Sequence, residues 1–357
     1  RHARHGSSDA AERLLSRQHH HRRWTLPLVG FSPARDNRSK SLAYIAQSHR
    51  APPPAPASGS ATTPLRRLSF AALGTNCEVQ YAAPGGETQA THFERAVTGW
   101  VGAFEAKYSR FRPESLLSRI NAAAGREWVP VDVEMETLFK LCDTLHFMTQ
   151  GVLDPTALPL LRLWNYRADN PSLPTDSEVE AARRLVGWRK VQRSPGKVFL
   201  PEPGMALDFG GFGKEYAADR AHAILVDHGI SEGFVNLGGD IRVTGPQADG
   251  SPWRIGISNP AAPEQALGSI ELTSGALASS GDYQRCLTLD GVRYSHILNP
   301  FTGWPTQGLA AVSVTAELCV VAGSASTIAM LRGSAGPEWL AALALPCLWI
   351  DTAGTAG

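Results

Sequence analysis

Residues Leu207–Gly229 read LDFGGFGKEYAADRAHAILVDHG, and they shape the interpretation of the whole chain. Apolar Met205 and Leu207 predict a strand before the glycines, and the apolar spacing after Lys214 predicts a helix. A glycine turn that enters a helix carrying a lysine in its first turn suits phosphate oxygens. It is not a Walker A loop, because Asp208 stands where the first glycine of that motif belongs. The stretch therefore predicts either a phosphate site or a simple turn.

Charge divides the chain into two unlike parts. Through Arg67 there are twelve Lys or Arg and three Asp or Glu, a balance of +9, whereas the remainder has 22 against 30, a balance of −8. Residues 1–64 are basic and end in a Pro/Ala-rich run, which predicts a flexible, disordered leader. A basic tail can bind nucleic acid or anionic lipid, but we expect a solvated tail and no nucleic-acid partner. The prediction is one folded domain over residues 65–357, since 43% hydrophobic residues can supply its core.

The five cysteines occur singly, without a CxxC pair or a histidine at zinc-finger spacing. We interpret them as small buried side chains, and they leave the redox compartment open. The sequence contains no run of eighteen apolar residues, so we expect no transmembrane segment, and it shows no readable secretory signal.

Hydrophobic periodicity predicts a mixture of helices and hairpins that do not alternate one for one. This order favours an α+β fold of mixed, largely antiparallel sheets with flanking helices. Helical spacing is present over residues 91–108, 115–124, 133–149, 176–185 and 317–331. Strand patterns bounded by turn residues lie over residues 68–82, 189–201, 234–245, 252–260, 268–283, 286–299 and 309–316, with a last strand near 348–350.

A second glycine cluster, Asn236, Gly238, Gly239 and Asp240, directly follows an apolar pair. The glycines predict a hairpin bend, for which positive φ is needed. The cluster also lies about twenty residues after Lys214. It is therefore equally consistent with the second wall of an anion pocket.

A third cluster combines Ser279, Ser280, Gly281 and Asp282 with His296, which lies further along the same segment. Histidine suits proton transfer near neutral pH. A lone histidine on a strand is more often a hydrogen-bonded core residue, but the turns around this one are rich in polar groups. We therefore treat His296 as a candidate general base.

Taken together, these clusters resemble the ApbE family, the FAD:protein FMN transferases, over about residues 68–350. The resemblance is specific because seven motifs follow in the family's order. They are ALGTNCEV, SRFRPESLLSRINAAAG, LDPTALPLLRLW, LDFGGFGKEYAAD, VNLGGDI, ASSGDY and YSHILNPFTGWP.

The resemblance implies that FAD is the substrate, that Mg²⁺ polarises its pyrophosphate, and that FMN passes to a Thr or Ser hydroxyl of an acceptor flavoprotein with release of AMP. It implies a T-fold-like α+β architecture and the periplasmic face of the inner membrane. Catalytic roles fall to His296 as general base, with Asp282 and Lys214. The dinucleotide site would include Phe111, Ser115, Asp154, Thr156, Gly210, Gly211, Lys214, Asn236, Gly238, Gly239, Asp240, Ser280, Gly281 and His296.

One departure concerns the metal. The family's late helix carries an Asp and, four residues later, a Thr that both ligate Mg²⁺; here Gly323 replaces the Asp and Thr327 remains. The remaining family ligand is a backbone carbonyl that matches Gly211. Since the lost carboxylate is the anionic ligand, we expect either a weakened metal site or reduced activity.

Three functions stay open on this basis. The first is flavin transfer to a protein. The second is an FAD-binding protein that has lost transfer chemistry together with the Asp. The third is an FAD pyrophosphatase that uses water as the acceptor.

Overall fold

A computed structural model describes residues 23–25, 63–164, 166, 172–283 and 285–357. The helices are α1 Gly86–Tyr108, α2 Leu116–Ala122, α3 Val133–Met148, α4 Leu158–Leu163, α5 Asp176–Arg184, α6 Gly213–Asp227, α7 Cys319–Arg332 and α8 Gly336–Ala342. The strands are β1 Arg23–Thr25, β2 Leu65–Ala72, β3 Thr75–Ala82, β4 Val129–Pro130, β5 Gln192–Ser194, β6 Lys197–Phe199, β7 Gly233–Leu237, β8 Asp240–Val243, β9 Trp253–Asn259, β10 Ala262–Leu272, β11 Gly275–Gly281, β12 Cys286–Leu289, β13 Val292–Ser295, β14 Leu309–Ala316 and β15 Cys347–Asp351.

The main element is a seven-stranded sheet with the order β15-β14-β11-β8-β7-β3-β2. Every neighbouring pair in it is antiparallel. Three smaller sheets have the orders β1-β10-β9, β4-β6-β5 and β12-β13. The predicted class, α+β with largely antiparallel sheets and flanking helices, is therefore confirmed.

The two faces of the large sheet are covered differently. On β7, Val235 and Leu237 belong to the core that includes α1, α6 and α7, whereas Phe234 belongs to a second core with β9 and β10. On β8, Ile241 and Val243 point to that second core. This alternation follows from the period of two along a strand, so β8 directs Asp240 and Arg242 toward the helices.

Predicted element types agree well with the structure, and the differences lie mostly at boundaries. Helix α1 starts at Gly86 rather than residue 91, because its exposed first turn carries no apolar signal. Helix α7 starts at Cys319 rather than residue 317, and α4 and α8 are short helices that the periodicity missed. No helix in the described part of the chain is long and apolar enough to cross a membrane.

The predicted strand at Met205–Leu207 is wrong. The backbone there belongs to no helix or strand. Leu207 N donates to Asn121 Oδ1 at 2.7 Å, and Asn121 Nδ2 donates back to Leu207 O at 3.0 Å. One asparagine side chain thus satisfies the backbone groups that a neighbouring strand would otherwise pair.

The predicted basic leader, residues 1–64, lies almost wholly outside the described residues. Within it the structure describes β1, which pairs antiparallel with β10, and residues 63–64.

Candidate active site

The glycine turn delivers Lys214 to the first turn of α6. The helix begins at Gly213 after Phe212, whose side chain provides no cap for the helix amides. Lys214 Nζ forms an ion pair with the carboxylate of Asp240, the first residue of β8. The Asp240 side chain is only 3% exposed and that of Lys214 is 37% exposed, so the ammonium group stands at the open side of the pair. The first and second glycine clusters therefore meet at this ion pair.

Burial dominates the electrostatics here. Desolvation raises the pKa of Asp240, while the charge and hydrogen bond of Lys214 act in the opposite direction. For Lys214, desolvation lowers the pKa, but the negative charges of Asp240 and Glu215 outweigh it and raise the pKa. The lysine consequently stays a cation, as phosphate binding requires.

Glu215 follows Lys214 and points into the interface between α6 and α7. It is buried, and burial together with the charge of Asp240 raises its pKa to about 8. A Cβ added to Gly323 would lie 2.3 Å from Glu215 Cγ and 2.6 Å from Glu215 Oε1. The Glu215 side chain therefore occupies the space that a side chain at position 323 would fill.

Three hydroxyls continue the site from α7 to the end of β11. Ser280 Oγ lies 2.8 Å from Ser326 Oγ and 3.0 Å from Thr327 Oγ1. Ser326 in turn donates to the Gly323 carbonyl at 3.0 Å. These bonds hold Thr327 next to Ser280, which joins the third cluster to the predicted metal helix.

The oxygen-rich donors suit a hard divalent cation better than a soft one. A carboxyl group from α6 stands at Gly323, and the Thr327 hydroxyl is one helical turn further on. The described residues contain no group of three or more His, Cys, Asp or Glu that would bind a metal by themselves. A cation here would therefore depend on one carboxylate and on neutral oxygens.

A cavity of about 390 Å³ lies where β8 begins. Strand β8 pairs with β11 only from Gly275 to Leu277, so Ala278–Gly281 extend past it beside the Gly238-Gly239 turn. The cavity is lined by Phe234, Asn236, Gly238, Gly239, Ile241, Arg254, Ile255, Gly256, Ile257, Ser258, Leu277, Ser279, Ser280, Tyr283, Ala311 and Ser313. Four predicted dinucleotide-site residues thus share one cavity.

The Gly238-Gly239 turn is the hairpin bend predicted from the sequence, with φ of +69° and +96° at the two glycines. Asn236 Oδ1 accepts from Gly239 N at 2.8 Å and fixes the turn. A Cβ at Gly238 would lie 2.6 Å from Thr75 Oγ1, so the β2-β3 turn packs directly on it. The cluster is therefore both a hairpin and a cavity wall.

Asp154 and Thr156 point inward as supports of the glycine turn. Asp154 accepts from Thr156 N at 2.8 Å and from Trp188 N at 3.0 Å, and Thr156 Oγ1 accepts from Gly187 N at 2.7 Å. Burial raises the pKa of Asp154, but its hydrogen bonds with His146, Thr156 and Trp188 outweigh burial and lower it. The intervening Pro155 carbonyl accepts from Asp208 N at 2.8 Å. Contact with a ligand stays a prediction for both side chains.

Ser115 and Phe111 differ sharply in exposure. Ser115 is buried and caps α2, where its hydroxyl accepts from Ser118 N at 3.0 Å. Phe111 is 74% exposed, and the Arg110 guanidinium lies 4.7 Å from its ring centroid. Arg110 also approaches Asp208, with 3.7 Å between Nε and Oδ1. The exposed Phe111 ring is therefore available for stacking on a ligand, whereas the Ser115 hydroxyl caps α2.

His296 is oriented by a backbone carbonyl. Its Nδ1 lies 3.1 Å from Arg285 O, and since a carbonyl only accepts, Nδ1 carries the proton of that bond. Desolvation lowers the pKa of His296, and its neutral form therefore has a free lone pair on Nε2. The nearby Asp282 is buried and held by Arg293, whose Nε donates to Asp282 Oδ2 at 3.2 Å.

The structure brings some of the predicted site residues together in one arrangement. Hydrogen bonds and the cavity connect Lys214, Asp240, the Gly238-Gly239 turn, Ser280 and Thr327. His296 and Asp282 instead make their hydrogen bonds to Arg285 and Arg293 within the described part of the chain.

Sequence reasoning missed several residues of this arrangement. They are Thr75, Glu215, Asp219, Tyr283 and Arg293. Thr75, Glu215, Asp219 and Tyr283 stand within the quoted motifs, which could have pointed to them, whereas the partner of Arg293 is evident only from the structure.

Comparison with known families gives a match between residues 73–349 and the model of the ApbE family. Among curated proteins, the chain is 31% identical over 270 residues to an FAD:protein FMN transferase of Vibrio cholerae, covering 74% of this chain and 81% of that one. It is 30% identical over 288 residues to an FAD:protein FMN transferase of Klebsiella pneumoniae, covering 77% and 82%.

Two solved structures are also similar. The ApbE protein of Thermotoga maritima superposes with a TM-score of 0.75 at 31% identity, covering 82% of this chain and 96% of that one. The flavin transferase ApbE from Vibrio cholerae gives a TM-score of 0.73 at 30% identity, with coverages of 82% and 96%.

Proposed function

The chain belongs to the ApbE family and is a flavin transferase, and on this premise we propose how it moves FMN from FAD to a protein. The acceptor is a Thr or Ser hydroxyl of a target flavoprotein, and AMP is released. In this reaction the acceptor oxygen bonds to the FMN phosphorus, the pyrophosphate bond to AMP breaks, and the acceptor loses its proton. Family, fold class and transferase activity thus agree with the predictions from the sequence.

The observation that carries the proposal is the junction between the Lys214–Asp240 ion pair and the cavity wall, since the Gly238-Gly239 turn that lines the cavity directly precedes Asp240 in the chain. Lys214, in the first turn of α6, lies on one side of this junction, and the Gly238-Gly239 turn and Ser280 line the cavity on the other. Helix N-termini and ammonium groups attract phosphate charge. We assign the FAD pyrophosphate to this junction and the remaining dinucleotide to the cavity and to the exposed Phe111 ring.

His296 is the proposed general base. Its Nε2 lone pair accepts the acceptor's hydroxyl proton, while the Arg285 carbonyl fixes the ring through Nδ1. Because desolvation lowers its pKa, the ring is neutral at pH 7 and ready to accept a proton. Asp282 with Arg293 is a positioning pair in the same segment, and the carboxylate favours the imidazolium that forms.

The proposed Mg²⁺ ligands are the Thr327 hydroxyl and the Gly211 carbonyl. Bound there, the ion would act as a Lewis acid that stabilises charge developing on the pyrophosphate oxygens. The hydroxyl network of Ser280 and Ser326 keeps Thr327 oriented for this task.

The test is incubation of the protein with FAD, Mg²⁺ and a peptide carrying an acceptor Thr, followed by mass measurement and AMP quantification. We expect one FMN added to the peptide for each AMP released. If the protein retains FAD and releases no AMP, its function is FAD binding without transfer. If free FMN and AMP form while the peptide stays unmodified, its activity is that of an FAD pyrophosphatase. A periplasmic location stays a prediction from the family resemblance.

A further inference from the structure

The contact between Glu215 and Gly323 joins two helices that both face the proposed metal. Position 323 has no side chain, and the space beside it contains Glu215 Cγ, Cδ and Oε1 at 2.3, 2.8 and 2.6 Å from an ideal Cβ. The carboxyl oxygen Oε1 therefore lies 2.6 Å from the position that the Cβ of an Asp at 323 would take. An acidic side chain thus occupies this region of the fold, although α6 and not α7 supplies it.

The carboxyl group of Glu215 is also incompletely satisfied. Its Oε2 is buried and has no hydrogen-bond partner among the described residues. Buried carboxyl oxygens are normally hydrogen bonded or bound to a cation, because desolvation without a partner is expensive. The same carboxyl group therefore has one oxygen, Oε1, beside Gly323 and a second, Oε2, whose lone pairs are free for a divalent cation.

The groups around Glu215 are consistent with a bound metal cation, because the neighbouring protein cation is already paired. Lys214 is already engaged by Asp240. On α7, Thr327 lies on the same helical face as Gly323 and shares its hydrogen bond with Ser280. A site built here would combine one carboxylate with hydroxyl and carbonyl oxygens, which is a donor set for Mg²⁺ or Mn²⁺.

We propose that Glu215 is the anionic metal ligand of this protein, supplied from α6 in place of the acid that α7 lacks at position 323, and that its carboxyl proton passes to solvent when the ion binds. The inference rests on the proposed function, in which Thr327 and the Gly211 carbonyl complete the site. It replaces the expectation of a weakened metal site by a relocated one.

The alternative is that Glu215 only fills space between α6 and α7. In that case a neutral amide of the same shape would serve equally well, and metal affinity would not depend on its charge. The Glu215→Gln variant separates the two explanations, because it keeps the side-chain volume and removes the carboxylate.

The experiment measures Mn²⁺ binding to the full chain without FAD, from the loss of the free-ion signal in electron paramagnetic resonance. We expect Glu215→Gln to bind Mn²⁺ at least about tenfold more weakly than the unaltered protein. The surface variant Glu127→Gln is the matched control and should bind unchanged. Equal Mn²⁺ affinity in Glu215→Gln and the unaltered protein would overturn the proposal.

A second variant moves the carboxylate back to α7. In Glu215→Gly/Gly323→Asp the smaller residue at 215 makes room for the Asp side chain at 323. We therefore expect Mn²⁺ binding to return to near the original affinity. A folded exchange variant without Mn²⁺ binding would overturn the proposal even if Glu215→Gln did not fold. Failure of the proposed function would show separately, as absence of AMP and of peptide modification in the unaltered protein.

Discussion

Asp219 connects α6 to the start of α7, and its removal should loosen the helix that carries Thr327. Its Oδ1 accepts from Cys319 N at 2.8 Å and its Oδ2 from Val320 N at 2.9 Å, so it caps α7 from a hundred residues away. Arg242 Nε also lies 3.2 Å from Asp219 Oδ1. We therefore expect Asp219→Ala to remove a helix cap and an ion-pair partner together.

The magnitude follows from these two losses. Loss of a helix cap costs about 1 kcal/mol of unfolding free energy. The side chains of Asp219 and Arg242 are 15% and 10% exposed, and removing one member of a buried pair costs about 3–5 kcal/mol. Because both groups keep some contact with solvent, we expect a total at the lower end of the summed range, about 4 kcal/mol. The corresponding fall in melting temperature is roughly 6–7 °C for a domain of this size.

The assay is urea unfolding of the unaltered protein, Asp219→Ala, Arg242→Met and the double variant. The double variant should lose at least about 1 kcal/mol less than the sum of the single variants, because it leaves no unpaired buried charge. Asp227→Ala, at the exposed C-terminal end of the same helix, is the control and should change stability little. A loss below 1 kcal/mol in Asp219→Ala, or strict additivity in the double variant, would refute the reasoning.

Three further predictions concern the chemistry. His296→Gln should lower the FMN transfer rate about a hundredfold or more while FAD binding is kept, as loss of a general base requires; an unchanged rate in single-turnover assays would exclude that role. Desolvation lowers the pKa of His296, so the ring becomes protonated at lower pH than a free histidine. The FMN transfer rate of the unaltered enzyme should therefore stay constant from about pH 8 to about pH 6.5 and fall only below that. A fall in rate centred above about pH 7 would contradict this. Lys214→Met should weaken FAD binding about ten- to a hundredfold in equilibrium titration, whereas Lys140→Met on the surface should not; equal FAD affinity in both variants would remove Lys214 from the phosphate site.

Features that are determined by residues close together in the sequence were predicted correctly. The Gly238-Gly239 bend, the helix after Lys214 and the antiparallel hairpins each depend on neighbouring residues, and all are present. The order of the motifs identified the family, although each motif alone is weak. Local patterning was enough because turn residues and side-chain period act within a few residues.

Features that depend on distant contacts were not predictable in this way. The stretch before the glycines resembles a strand in sequence, but Asn121, 86 residues from Leu207, satisfies its backbone. The start of α7 depends on Asp219, and the apparent gap at Gly323 is filled from another helix. Asp154 is polar and adjacent to a turn, yet its hydrogen bonds are directed into the protein.

The steric exclusion between positions 215 and 323 restricts the routes by which such a chain can change. A residue larger than glycine at 323 has no room while Glu215 keeps its present place. A larger residue at 323 therefore requires either a different rotamer of Glu215 or a smaller residue at 215. Side-chain volume therefore couples positions 215 and 323, whatever the chemistry of the residues that occupy them.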